Sequence, residues 1–248
     1  MKKSFRKLNV LALSAAAPML LFAARAQAQQ SVSVVNNSFQ SDTLSPGQTT
    51  VLTPNGPAGW TGFNVGTGGS YDIGISYAKG TDFTDPLTAP GSGNNYLWIN
   101  RYNGDGTQVA GVYQDVGSLL ADTTYTLTVA IGLRGDSGPG PGGSWSPGII
   151  SLLNGTDDTG TVLATGGGIP TTANSWEDFD ATFTTGASVS GDLTIDLSVL
   201  DASSIQADFS NVELTATAVP EPSVFAMFGG GLVLLWLVVR RRNQAAVK

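Results

Sequence analysis

The sequence predicts an all-β protein, specifically a jelly-roll-like β-sandwich of about ten strands. The chain of 248 residues contains 32 glycines and 12 prolines, and only 12% of its residues are charged. Apolar and polar residues alternate over short segments that are separated by Gly, Pro, Asn and Asp. No amphipathic helical pattern occurs between residues 30 and 219. Short period-two segments with frequent turn residues are typical of sandwiches and barrels.

The clearest alternation predicts strands with one face buried and one face in solvent, at Tyr71–Tyr77, Tyr125–Ile131, Leu193–Val199 and Val212–Ala216. Shorter candidate strands are Val32–Val35, Gly62–Val65, Tyr96–Arg101, Val109–Val116, Gly148–Leu153, Thr161–Ala164 and Asp178–Thr184. The stretch 135–148 is rich in Gly and Pro, which predicts a long surface loop because strands continue on both sides.

The predicted strands all lie in a central domain, residues 29–219, and the two ends of the chain have a different composition. Residues 1–28 have the pattern of a secretory signal peptide, with a basic start and an apolar stretch. Ala26 and Ala28 are the small residues that signal peptidase requires, which predicts cleavage after Ala28.

The last part of the chain, residues 220–248, predicts a membrane anchor. The uncharged run 223–239 is long enough for a short transmembrane helix. Arg240, Arg241 and Arg242 follow it and would hold this end in the cytoplasm.

The C-terminal segment resembles the PEP-CTERM sorting signal of Gram-negative bacteria. Pro220, Glu221 and Pro222 match its Pro-Glu-Pro motif, and the apolar run and the arginine cluster follow in the same order. The resemblance implies an exosortase substrate that is first an inner-membrane-anchored precursor. After processing it would be a cell-surface or extracellular-matrix component, associated with exopolysaccharide and biofilm.

The composition excludes several kinds of chemistry. The chain has no His and no Cys, so it cannot build a Ser-His-Asp triad, a thiol nucleophile, a Cys/His zinc site or a disulfide. Residues 29–219 contain 3 basic and 18 acidic residues, a net charge of −15. Such a negative domain repels nucleic acid. We therefore expect no nucleic-acid partner.

The central domain resembles the galactose-binding-like and carbohydrate-binding-module jelly rolls. The resemblance rests on short motifs at 36–40, 112–116 and 208–214. It implies glycan binding and a structural calcium ion, for which Asn37, Gln40 and Asp208 are the candidate ligands. An acid often stands in that family where this chain has Gln40.

Five aromatic residues are candidates for stacking on sugar rings, namely Trp60, Tyr96, Trp98, Trp145 and Trp176. The leading hypothesis is a non-catalytic surface or matrix protein that binds glycan, with no catalytic residues. One alternative is a purely structural biofilm protein without a dedicated ligand. The other is a glycoside hydrolase that uses only carboxylates, which requires two converging acids.

Overall fold

The computed structural model describes residues 29–66, 70–78, 94–102, 108–135, 144–200, 205–219, 231 and 235–241. These residues form a two-sheet β-sandwich, which confirms the predicted all-β class. The predicted signal-peptide residues Ala26 and Ala28 lie outside the described residues, as do Pro220, Glu221, Pro222 and Arg242. Within the described ranges the strands are β1 Gln30–Val32, β2 Thr49–Val51, β3 Thr61–Val65, β4 Ser70–Tyr77, β5 Asn95–Tyr102, β6 Val109–Ser118, β7 Thr123–Leu133, β8 Ser144–Trp145, β9 Gly148–Asn154, β10 Thr161–Gly168, β11 Ser175–Thr184, β12 Asp192–Leu200 and β13 Ile205–Ala218.

The strands are divided between a sheet of eight and a sheet of five. The larger sheet has the order β11-β7-β13-β5-β4-β2, and β1 and β8 also pair with β13. The smaller sheet has the order β10-β9-β12-β6-β3. Neighbouring strands are antiparallel, except that β8 runs parallel to β13. Strand β13 is therefore bonded to more strands than any other described strand.

The hydrophobic core lies between the two sheets and is built from alternate residues of each strand. Ile99 and Phe209 of the larger sheet and Val112 and Ile195 of the smaller sheet are all fully buried there. Burying one such side chain stabilises the fold by about 1.5–3 kcal/mol. The residues between them point to the outer face of their sheet, because successive side chains of a strand alternate.

A β-bulge in β13 changes the phase of this alternation. The register with β7 shifts between Ser210 and Glu213, and Asn211 has a positive φ of 49°. As a result Phe209 and Val212 both face the core although they are three positions apart. The sequence predicted a strand only from Val212 onward, because the period-two pattern is interrupted at this point.

Most of the predicted transmembrane helix at 223–239 lies outside the described residues. Of this region the structure describes residue 231 and residues 235–241, which are helical. In the described parts of the chain, no helix has both the length and the apolar character needed to span a membrane. Arg240 and Arg241 belong to the helical residues, and the Arg240 guanidinium lies 5.1 Å from the centroid of the Trp236 ring.

The outer face of the smaller sheet holds a buried carboxyl group. Asp196 of β12 is 7% exposed, and the Ser198 hydroxyl donates a hydrogen bond to it at 2.7 Å. Tyr113 of β6 and Ser151 of β9 are its register partners. Burial raises the pKa of Asp196 to about 7, and the charge of Asp158 acts in the same direction.

The raised pKa makes the stability of the protein depend on pH. The unfolded chain loses this proton near pH 4 and the folded chain near pH 7, so stability is lost as the pH rises between these values. The variant Asp196→Asn is always neutral. We expect it to be more stable than the wild type at pH 8 by a few kcal/mol, a difference that shrinks toward pH 4.

Urea unfolding at pH 4, 6 and 8 measures this difference. Asp178→Asn, which removes an exposed carboxyl group of β11, is the control and should leave the pH profile unchanged. Parallel profiles for the wild type and Asp196→Asn would contradict the prediction.

Candidate functional site

A second buried carboxyl group lies on the outer face of the larger sheet. Asp208 of β13 is fully buried, and its neighbours Ala207 and Phe209 face the core. Asp208 therefore faces outward, together with Gln206 and Ser210. The Gln206 amide donates a hydrogen bond of 2.5 Å to Oδ1 of Asp208. This bond holds the carboxyl group in one orientation.

The residues beside Asp208 in the sheet are a tryptophan on one side and a glycine on the other. Its register partners are Trp98 of β5 and Gly132 of β7, and Gly132 pairs in turn with Trp176 of β11. Since Gly132 has no side chain, no side chain of β7 stands between Asp208 and Trp176. Beyond Trp98 lies Gly74 of β4, where a Cβ atom would come within 2.2 Å of Trp98 Cζ2. The Trp98 ring thus lies directly against the backbone at Gly74.

Aromatic rings surround the carboxyl group on this face. Tyr96 is fully buried and Trp98 is 7% exposed. The rings of Tyr96 and Trp176 meet edge to face, with centroids 5.9 Å apart and planes at 65°. Such rings offer flat apolar surfaces to a bound molecule, and their faces attract positive charge.

Trp145 and Arg134 extend the aromatic face at the end of β13. Trp145 belongs to the short strand β8 and pairs with Gln206, so a strand occupies part of the stretch 135–148 that was predicted to be a long surface loop. The Arg134 guanidinium lies 5.3 Å from the centroid of the Trp145 ring. The positive charge of Arg134 therefore lies beside Trp145. The β13 partner of Trp145 is Gln206, which orients Asp208.

Three further polar atoms on this face are buried and lack a hydrogen-bond partner among the described residues. They are Trp98 Nε1, Asn100 Oδ1 and Ser210 Oγ. Each such group costs about 1–3 kcal/mol when it stays unpaired. Polar atoms of this kind are rare in folded proteins, and their clustering around one carboxyl group indicates a site whose ligand carries polar groups.

Four of the five predicted stacking residues, namely Tyr96, Trp98, Trp145 and Trp176, share this face with Asp208. Trp60 does not, because it lies in the core between the sheets. Its ring centroid is 5.7 Å from that of Phe39, and its Nε1 donates to the Asn36 carbonyl at 3.4 Å. Trp60 therefore has a packing role here.

The residues predicted to bind calcium have other partners. The Gln40 amide donates to the carbonyls of Ser38 and Asn95, at 2.6 and 2.9 Å. The Asn37 carbonyl accepts the Val212 N–H at 2.8 Å, and the carboxyl group of Asp208 accepts from Gln206. Over the described ranges, no three His, Cys, Asp or Glu residues are grouped so that they could hold a metal ion. The calcium site that the resemblance implies therefore stays a prediction.

The predicted site residues do not include five residues of this face, namely Gln206, Asn100, Ser210, Gly132 and Arg134. The missed signal is the alternation of the first half of β13, with apolar residues at 205, 207 and 209 and polar residues at 206, 208 and 210. The predicted strand started after this segment, so its polar face was not recognised.

The family comparison assigns the chain to a class of enzymes. A family model described as HpiC1-like, HpiC1 cyclase, matches residues 30–215. The chain therefore belongs to the HpiC1-like cyclase family. A search of curated proteins gave no match.

Several solved structures share the fold. The Stig cyclase Fisc from Fischerella sp. TAU, in complex with (3Z)-3-(1-methyl-2-pyrrolidinylidene)-3H-indole, has a TM-score of 0.61 and 22% identity over 78% of this chain and 100% of that chain. A cyclase from the same source in complex with 4-(1H-indol-3-yl)butan-2-one has a TM-score of 0.60 and 23% identity over 77% of this chain and 100% of that chain. A family 4 carbohydrate-binding module (CBM4) is also similar, with a TM-score of 0.45 and 16% identity over 75% of this chain and 100% of that chain.

Membership of a cyclase family overturns several predictions from the sequence. The prediction of a non-catalytic glycan-binding protein is wrong, as is the absence of enzymatic activity. The PEP-CTERM, exopolysaccharide and biofilm interpretation conflicts with this family. The predicted localisation, an anchored precursor that becomes a surface or matrix component, is contradicted for the same reason.

The close approach of Trp98 to Gly74 gives a structural test of the site. In Gly74→Ala the new methyl group would overlap the ring and the Thr50 carbonyl, so Trp98 must move. We expect a loss of about 1–3 kcal/mol of stability and a changed near-ultraviolet circular dichroism spectrum. Gly186→Ala is the control, since a Cβ there meets nothing within 4 Å. An unchanged spectrum and midpoint for Gly74→Ala would show that the ring lies elsewhere.

Proposed function

We propose that the protein is a cyclase whose reaction takes place on the outer face of the larger sheet, with Asp208 as the group that transfers the proton. The observation that carries the proposal is a fully buried carboxyl group among aromatic rings, in a chain of a cyclase family. General acid–base catalysis by a positioned carboxyl group contributes about 10²–10⁴-fold to a rate.

The chemistry that this arrangement suits is a ring closure started by a proton. The Asp208 carboxyl group gives a proton to a carbon–carbon double bond of the substrate, which leaves a cation on the neighbouring carbon. A second carbon of the same molecule supplies the electron pair of the new bond, and the carboxylate takes up the proton that this carbon releases. The product is an isomer of the substrate, and the acid is regenerated.

The aromatic rings support this reaction in two ways. The faces of Trp98, Trp176 and Tyr96 stabilise positive charge that develops near them, by about 0.5–2 kcal/mol each. The burial of Tyr96 and Trp98 keeps water away from the cation, which would otherwise be captured as an alcohol. Gln206 keeps the carboxyl group pointing in one direction during both proton transfers.

The substrate class we propose is a flat, largely apolar aromatic compound such as a 3-alkenylindole. Tryptophan and tyrosine rings stack well on such molecules. Two Fischerella cyclase structures that share this fold contain indole compounds, and we take the indolyl ketone 4-(1H-indol-3-yl)butan-2-one as a binding probe.

The variant Asp208→Asn tests the proposed role of the carboxyl group. It keeps the shape of the side chain and removes the proton that is transferred, so turnover of 3-alkenylindoles should fall by about 10²–10⁴-fold. Glu213→Gln, an exposed carboxyl group on the same strand, is the matched control and should keep full activity.

The measurement is liquid chromatography with mass spectrometry, carried out in H₂O and in D₂O. The expected product has the mass of the substrate in H₂O and one added mass unit in D₂O, because the acid delivers a deuteron. Full activity of Asp208→Asn, or no isomer from any 3-alkenylindole, would refute the proposed function.

A further inference from the structure

Ser210 is a buried residue of the candidate site that the proposed chemistry does not use. It is fully buried, and its hydroxyl group lacks a hydrogen-bond partner among the described residues. It lies on the same face of β13 as Asp208 and two residues further along, a separation of about 7 Å. The hydroxyl group is therefore close enough to contact the same bound molecule.

The aromatic pair of the site encloses the segment that carries Ser210. Leu97 pairs with Phe209, so Tyr96 is next to Ser210 on the adjacent strand. The Tyr96 ring meets the Trp176 ring of β11, and β7 and β13 lie between these two strands in the sheet. The contact thus crosses β13 and β7 diagonally, from the level of Ser210 to the level of Asp208 and Gly132.

A second buried serine on this face shows the usual arrangement. Ser76 of β4 is 5% exposed, and its hydroxyl group shares a hydrogen bond of 2.7 Å with the Thr49 hydroxyl. Alanine at position 210 would fill nearly the same volume and leave no unpaired hydroxyl group. Packing alone therefore does not account for a serine at this position.

We propose that Ser210 is a substrate-positioning residue, whose hydroxyl group donates a hydrogen bond to a carbonyl-type acceptor of the substrate. This inference rests on the proposed function and narrows its substrate class. The substrate is an aromatic compound that carries a hydrogen-bond acceptor within reach of the Ser210 hydroxyl group, on the same face as the carbon that Asp208 protonates. The buried Trp98 Nε1–H is a second donor on the same face.

The test compares two probes that differ in one carbonyl group, the indolyl ketone and 3-butylindole. Their affinities for the full chain are measured by isothermal titration calorimetry. The wild type should bind the ketone about tenfold more tightly, and Ser210→Ala should abolish this preference while its affinity for 3-butylindole is unchanged. The melting temperature of Ser210→Ala should be equal to or higher than that of the wild type, because an unpaired hydroxyl group is removed.

Ser76→Ala is the matched control. It breaks the bond to Thr49, so its melting temperature should fall while the preference for the ketone stays at the wild-type value. If Ser210→Ala weakens both probes equally, Ser210 has a packing role and the assignment is wrong. If the wild type binds both probes equally while Asp208→Asn still loses isomerisation, only the assignment of Ser210 fails. If neither probe binds to the wild type, the assignment of Ser210 fails, and the isomerisation assay alone decides the proposed function.

Discussion

The placement of β13 between β5 and β7 is the constraint on which the candidate site depends. Backbone hydrogen bonds on both sides hold this strand, and the bulge at Asn211 lets Phe209 and Val212 face the core together. A slip of one residue would turn Asp208 inward and Phe209 outward. The cost of exposing the core side chains therefore holds the carboxyl group on the outer face.

The outer face of the larger sheet shows how a sandwich can carry chemistry without His or Cys. Strand alternation and register alone bring the groups of this face together. These groups are the Asp208 carboxyl group, the Gln206 amide that orients it, and the rings of Tyr96, Trp98 and Trp176. The buried polar atoms of this face reduce stability, and the apolar core between the sheets offsets that loss. Active sites commonly show this exchange of stability for function.

The sequence predicted the sandwich because alternation and turn residues are local signals. It also predicted the residues Tyr96, Trp98, Trp145, Trp176 and Asp208, but assigned them to separate sugar-stacking and metal-binding roles. Their meeting on one face depends on which strands are neighbours, and a strand order such as β11-β7-β13-β5 is not visible in a single sequence. The bulge also hid the polar face of β13, since it interrupts the pattern that reveals a strand.

Trp60 shows that residue type alone does not distinguish a binding residue from a core residue. A tryptophan beside a loop suits a binding surface and a core equally well, and only the packing against Phe39 decides between them. Gln40 is similar, because its amide can ligate a metal or tie two backbone segments together. In this structure it does the latter.

The reaction face proposed for this protein is the outer side of the larger sheet around Asp208. A crystal structure of the full chain with the indolyl ketone tests it most directly. We expect the indole ring on this face, between Trp98 and Trp176, with Asp208 within hydrogen-bonding distance of the compound. An indole bound on the outer face of the five-stranded sheet, near Asp196, would contradict it.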